Sequence, residues 1–218
     1  MKLIIGNQRY SSWSMRPWLI VKHLGLPVDI EAHNLFDGTF ADKFSHLNVP
    51  AKVPLLIDGQ TLVWDSLAIV EYLAEHFEGV LPKDAARRNL ARCAMAEMHS
   101  GFAALRSECP MDIRAIKKIA TSAGVLADLQ RINAIWQQFE LDPFLCGEFS
   151  AIDAYFAPVA VRASGFELPV CERFATWQQR LFGLNAFKQW ISEGLAESYE
   201  HAPYNVGPVI GIQPFARA

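Results

Sequence analysis

The sequence has no apolar run approaching the ~20 residues needed to span a bilayer, and the apolar stretch in its opening MKLIIGNQRY is too short for a secretory signal. It also has no excess of positive charge. Lys and Arg number 20 against 23 Asp and Glu, a formal net charge of -3, so the basic surface that a nucleic-acid partner requires is missing. Neither a nucleic acid nor a membrane is expected as partner, and the chain reads as a soluble cytoplasmic protein. Cysteine is sparse: Cys93, Cys109, Cys146 and Cys171 form no C-x-x-C pair and have no histidine at zinc spacing, which leaves no metal site to expect. The chain has no Walker A loop, G-x-G-x-x-G, G-x-S-x-G or H-E-x-x-H, and nucleotide and zinc chemistries lose support. His23, His33, His46, His76, His99 and His201 show no ligand spacing, and His99 reads as a structural helical side chain. Two basic clusters, Arg87, Arg88 and Arg92, then Arg114, Lys117 and Lys118, read as solvated helix faces.

What is present is an ordinary globular composition, 51% hydrophobic and 20% charged with 13 Gly and 12 Pro, arranged in two unlike parts. Over residues 1–80 short β-patterned runs alternate with helical ones. Residues 2–6 form a strand, and Ser12 or Ser14 caps a helix with Pro17 in its first turn, stopped at Gly25. Residues 28–32 make a second strand, and 36–47 a loop or weak helix. Residues 54–57 and 61–63 are joined around Asp58-Gly59 as a hairpin. Asp65 or Ser66 then caps a helix from Leu67 to about Phe77. The order is βαβαββα. After a linker at 81–84 the pattern is all-helical over 85–201. Met95, Met98, Phe102 and Leu105 share a face of one long helix, and Leu129, Ile132, Trp136 and Phe139 a face of the next. Ser150 to Asp153 looks like a capping arrangement for a helix to about Ala163, helices fit 171–182 and 185–198, and 202–218 is a strapped or loose tail.

Two constellations can carry chemistry. Tyr10-Ser11-Ser12-Trp13-Ser14 stands where the first strand hands over to the first helix, a junction that aims N–H groups and a positive helix end at one point. Hydroxyls there suit a bound thiolate, or they simply cap the helix. Lys52-Val53-Pro54 opens the third strand and offers a backbone edge to an extended peptide ligand. Asp65-Ser66 offers a carboxylate for an ammonium and a hydroxyl with helix N–H groups for a carboxylate, as an amino-acid end would need. A plain hairpin and cap would carry the same residues.

Ser11-Ser12-Trp13-Ser14-Met15-Arg16, then Val53-Pro54, then Asp65-Ser66-Leu67-Ala68-Ile69 with Glu71-Tyr72-Leu73, resembles the thioredoxin-like half of glutathione S-transferases. Phe144-Leu145-Cys146-Gly147 with Ser150 and Asp153 is similar to the capping motif of that family's helical domain. The resemblance implies a cytosolic homodimeric transferase of serine type, zeta-like or tau-like, with glutathione as co-substrate and a small electrophile as partner. It implies Ser11 as the residue that holds the thiolate, with Tyr10 as a substitute donor. Val53 would pair with the cysteinyl backbone ahead of a cis Pro54, Asp65 and Ser66 would hold the γ-glutamyl end, and Lys52 the glycine carboxylate. Trp13, Met98, Phe102 and Arg106 would line the acceptor pocket, and Arg106 there would imply an anionic acceptor. Trp13 stands where zeta-like enzymes carry Cys, which weakens an isomerase of the maleylacetoacetate type, and no cysteine precedes Cys93 to perform thiol transfer. A non-catalytic binding protein with this fold is the alternative of a different class.

Overall fold

A computed structural model describes residues 1–217. Four short strands form the first sheet: β1 (Lys2–Ile5), β2 (Asp29–Ala32), β3 (Leu55–Asp58) and β4 (Thr61–Val63), in the order β2-β1-β3-β4. β1 runs parallel to β2 and antiparallel to β3, with Leu3 opposite both Ile30 and Leu56. Alternation along β1 separates two cores. Leu3 and Ile5 join Leu56 in the main core, whereas Ile4 joins Leu55, Phe40 and Phe44 in a smaller cluster. Phe40 and Phe44 come from α2 (Phe40–Phe44), the weak helical segment expected between the second and third strands.

The parallel β1–β2 pair is connected by α1 (Ser12–Leu24), which Gly25 ends in the left-handed conformation at φ 61°. Its cap is Ser11 rather than Ser12 or Ser14, since the Ser11 side chain accepts from the Ser14 N–H. Pro17 therefore lies in the second turn, not the first, and removes the N–H that would have met the Trp13 carbonyl. Asp65 caps α3 (Ser66–His76) by accepting from the Leu67 N–H. Residues 1–76 thus make a thioredoxin-like sheet with helices, and the rest of the fold is all-helical apart from one small ribbon.

The expected long helix after residue 84 is two helices. α4 (Ala85–Ser100) stops at Gly101, Phe102 adopts φ 61°, and α5 (Ala103–Glu108) starts in a new direction. The four apolar residues read as one face still point inward, with Met95, Met98, Phe102 and Leu105 all buried. α6 (Ala123–Trp136) likewise ends before Phe139, which is buried in the following turn. α7 (Ala151–Gly165) is buried along nearly its whole length and packs against both α1 and α4. The Asp153 half of a capping box starts it: Asp153 accepts from the Ser150 and Leu145 N–H groups and from the Trp177 indole. α8 (Glu172–Gly183) and α9 (Asn185–Ala196) complete the helical part.

A two-stranded ribbon was not expected. β5 (Ala115–Lys117) pairs antiparallel with β6 (Val209–Ile212), so the C-terminal extension is tied to the helical domain by a ladder. Lys117, read as part of a solvated helix face, is a buried strand residue. Its ammonium lies 3.0 Å from Asp112 and 2.7 Å from the Tyr204 carbonyl. Among the described residues no helix is long and apolar enough to cross a membrane.

Candidate functional site

The turn from β1 into α1 is held from below and from the side. Arg9 makes a two-pronged contact with Asp112 at 3.1 and 3.3 Å, and the Gln8 N–H donates to Glu197 at 2.6 Å. Both partners belong to the helical part, so the serine cluster is fixed relative to the cleft between the two halves. Ser11 Oγ lies 2.8 Å from Ser14 Oγ, which also accepts the Gly6 N–H at 3.1 Å. The Ser11 hydroxyl is half-buried, and its rotor can leave Ser14 for an incoming anion. Among the described residues the Trp13 N–H has no partner at this helix end.

Two adjoining recesses meet at Trp13, Lys52 and Val53. One, of 300 Å³, is lined by Ser11, Ser12 and Trp13 together with Tyr10, Phe36, Phe40 and Tyr204. The other, of 430 Å³, is lined by Trp13, Lys52, Val53 and Pro54 with Asp65, Ser66 and His99. Ser11, Lys52, Val53, Pro54, Asp65, Ser66 and Trp13, read from distant stretches of sequence, are thus brought around one continuous groove. The Val53-Pro54 bond is cis, and Val53 stands just outside the β1–β3 ladder, which begins at Leu55.

Asp65 and Ser66 differ in what they present. Asp65 is exposed; one oxygen caps α3 and the other lies 3.0 Å from His99 Nε2. Ser66 is fully buried and its hydroxyl is 3.1 Å from the Tyr155 hydroxyl. When Tyr155 donates, the Ser66 proton is left for a ligand carboxylate, beside a helix N-terminus that favours negative charge. Burial pushes the Tyr155 pKa up to about 12, which keeps its proton in place.

The acceptor-pocket expectation meets a different geometry. Trp13 lines both recesses, but Met98, Phe102 and Arg106 are not among the lining residues of either. Met98 and Phe102 are core residues. Arg106 donates to the Gly101 and Met98 carbonyls and covers Trp13 at 4.7 Å, so it reaches the groove only through that ring. In their place the walls beside Ser11 are Tyr10, Phe36, Phe40 and Tyr204. The loop bearing Phe36 is stacked on His201 and Tyr199 with ring centroids 4.0 and 4.8 Å apart. Tyr10 turns its hydroxyl to accept the His201 N–H at 3.3 Å, and burial raises its pKa. His99 was also missed. It sits edge-on to Trp13 at 5.2 Å and pairs with Asp65 across the domain junction, a contact that no local pattern encodes.

Beneath the groove lies unpaired charge. The Arg16 guanidinium is fully buried between Trp13 and Tyr155, 4.4 and 4.5 Å from their ring centroids, and among the described residues none of its three nitrogens has a hydrogen-bond partner. Arg162 is buried as well and reaches Ser12 Oγ at 3.4 Å. Desolvation, with the neighbouring guanidinium charges adding to it, lowers the Arg16 pKa to about 9 and that of Arg162 to about 10.

The comparisons with known proteins agree with this architecture. The family model described as glutathione S-transferase, N-terminal domain, matches residues 10–76. A glutathione transferase homolog from Burkholderia gl BGR1, solved with bound glutathione, superposes with a TM-score of 0.69 at 22% identity, over 90% of this chain and 98% of that one. Protein IN2-1 homolog A of Oryza sativa subsp. japonica is 29% identical over 159 residues, 70% of this chain and 62% of the relative. A stringent starvation protein A homolog from Coxiella burnetii is 25% identical over 195 residues, 84% of this chain and 88% of the relative. Residues 10–76 thus match the N-terminal domain of glutathione S-transferases, and the chain has the fold of those enzymes, a thioredoxin-like sheet with helices followed by an all-helical domain.

Proposed function

We propose that this chain is a serine-type glutathione transferase, which binds glutathione along the groove, stabilises its thiolate at Ser11 and directs it at an electrophilic small molecule. The observation that carries the reading is the convergence of Ser11, Val53 and Asp65-Ser66 on one groove that crosses Trp13. In this reading the γ-glutamyl ammonium meets Asp65, and its carboxylate meets Ser66 and the α3 N-terminus. The cysteinyl backbone pairs with Val53, Lys52 takes the glycine carboxylate, and the sulfur lies at the N-terminus of α1.

The energetics suit that placement. A free thiol has a pKa of about 8.5, and one unit of depression corresponds to ~1.4 kcal/mol. A hydrogen bond to a charged group contributes roughly 1.5–3 kcal/mol, so Ser11 with the helix end lowers the thiol pKa by about one to two units. A pKa of about 6.5–7.5 makes thiolate a major form near neutrality. Serine is far too weak an acid to act as the base; it stabilises the anion, and the proton leaves to water or to the ligand's own groups. The aromatic walls Tyr10, Phe36 and Tyr204 favour an apolar acceptor beside the sulfur over the anionic one that Arg106 would have implied.

Calorimetry with glutathione, followed by turnover on aryl halide and maleyl substrates, tests the reading. Ser11→Ala keeps glutathione affinity and loses about 10- to 100-fold in turnover, the effect of one charged hydrogen bond. If Tyr10→Phe carries that loss instead, the donor assignment fails. Absence of glutathione binding in the unmodified chain sinks the whole reading, and binding without turnover points to a non-catalytic protein.

A further inference from the structure

An acidic residue is disfavoured at the C-terminal end of a helix, where the backbone already carries negative charge. Glu197 nevertheless stands there as the capping residue of α9, and the last turn of that helix holds no basic side chain. Its half-buried carboxylate meets the turn between β1 and α1 instead, accepting the Gln8 N–H at 2.6 Å and the Arg9 N–H at 3.4 Å. Glu193, one helical turn earlier, accepts from the Gln8 side-chain amide at 2.7 Å. Between them Gly194 lets the two backbones touch. A Cβ there would lie 3.1 Å from both the Arg9 nitrogen and the Gln8 carbonyl carbon. α9 thus clasps a turn that lies 189 positions away in the sequence.

The peptide group joining Asn7 to Gln8 is where this clasp meets the candidate site. Its N–H donates to Glu197, while its carbonyl accepts the Ser11 N–H at 2.8 Å and the Tyr10 N–H at 3.2 Å. One planar unit therefore has the carboxylate on one side and the Ser11 backbone on the other. Hydrogen bonds in such a chain polarise one another, and a charged acceptor at one end strengthens the next bond along. Asn7 itself lines the recess beside Ser11.

We propose that Glu197 and Gly194 are positioning residues for Ser11, acting through the Asn7-Gln8 peptide to hold its hydroxyl where the thiolate is stabilised. This role rests on the glutathione reading and names what fixes its donor. Glu197→Gln keeps the size of the side chain, and its amide oxygen still takes one N–H, but its NH₂ group cannot accept the other. Gly194→Ala leaves every charge in place and presses a methyl group against the Gln8-Arg9 backbone.

Two readouts on the whole protein test the role. One is the pKa of the glutathione thiol in the complex, followed by the ultraviolet absorbance of the thiolate; the other is the affinity for S-methylglutathione, which has no thiol to ionise. In both variants the thiol pKa rises by about half a unit to one unit and turnover near neutrality falls about three- to tenfold, while S-methylglutathione binds within about twofold of the unmodified chain. Loss of the Glu197 charge acting through space has the opposite sign, since removing a negative charge lowers a thiol pKa, and Gly194→Ala is free of it. The variants reach the same peptide by different routes, so one that fails to fold leaves the other to decide. A thiol pKa that stays or falls in a folded variant, or a matching loss of S-methylglutathione binding, the mark of a collapsed groove, overturns the proposal. Absence of glutathione binding in the unmodified chain overturns the transferase reading itself, and the clasp's role with it.

Discussion

Arg9 and Arg16 flank the same turn and are both almost fully buried, yet the fold treats their charges in opposite ways. Arg9 meets Asp112 with two nitrogens, and Lys117 approaches the same carboxylate from β5. Arg16 has two aromatic faces and no carboxylate, and its neighbours Arg106 and Arg162 add charge of the same sign. A buried ion is tolerated when hydrogen-bonded partners replace its water, and is costly when they do not. The first cluster therefore reads as a joint: it ties the β1–α1 turn to the helical domain and, through the Tyr199 and Tyr204 carbonyls, to the C-terminal segment. The second lies below the groove, where uncompensated positive charge favours an anion bound at Ser11 and Ser12.

The largest effect is expected at the joint. Asp112→Asn leaves buried Lys117 without its counter-charge and Arg9 with only the exposed Glu200 at 3.4 Å, and lowers stability by about 3–5 kcal/mol, measured by denaturant unfolding. A loss below 1 kcal/mol would erase the distinction between the clusters. The same carboxylate sets a pH dependence. Burial acts to raise the Asp112 pKa, but the Arg9 hydrogen bond, the Arg114 N–H and the Lys117 charge outweigh it and hold the group below its ordinary value. Its contribution to stability is accordingly whole above about pH 3.9, the unfolded value, and drains away as the pH falls through the depressed folded one. Unfolding curves at descending pH should show that loss in the unmodified chain and a shallower one in Asp112→Asn.

The smaller effect has the opposite sign. Arg16→Met keeps an unbranched side chain as far as the Nε position and removes a buried charge that has no carboxylate in contact among the described residues, so stability rises by about 1 kcal/mol once two lost cation–π contacts are set against the relief. A drop as large as that of Asp112→Asn would show that the aromatic sandwich serves as a full partner. Glutathione calorimetry on the same variant reads whether the charge acts on the ligand.

The order of elements in the first half was legible because its signals are local. Asp58-Gly59 turns a hairpin, and Gly25 and Asp65 mark helix ends by their own side-chain or backbone chemistry. The cap of α1 falls at Ser11 and not at the expected Ser12 or Ser14, because three serines within four positions offer the same hydroxyl. The split of α4 from α5 was hidden because the apolar spacing of Met95, Met98, Phe102 and Leu105 continues across Gly101 even though the backbone does not. The β5–β6 ribbon joins segments some ninety residues apart, and nothing in a three-residue run announces such a partner. The groove divides in the same way. Ser11, Val53, Pro54, Asp65 and Ser66 belong to short motifs, whereas Phe36, His99 and Tyr204 reach it only through tertiary contacts.

One indole stands at the seam of the two recesses, with guanidinium groups against it and a histidine at its edge. An occupant of either half must alter the polarity around that chromophore. Emission from Trp13, isolated by comparison with Trp13→Phe, would then follow filling of the groove in real time, with no label attached.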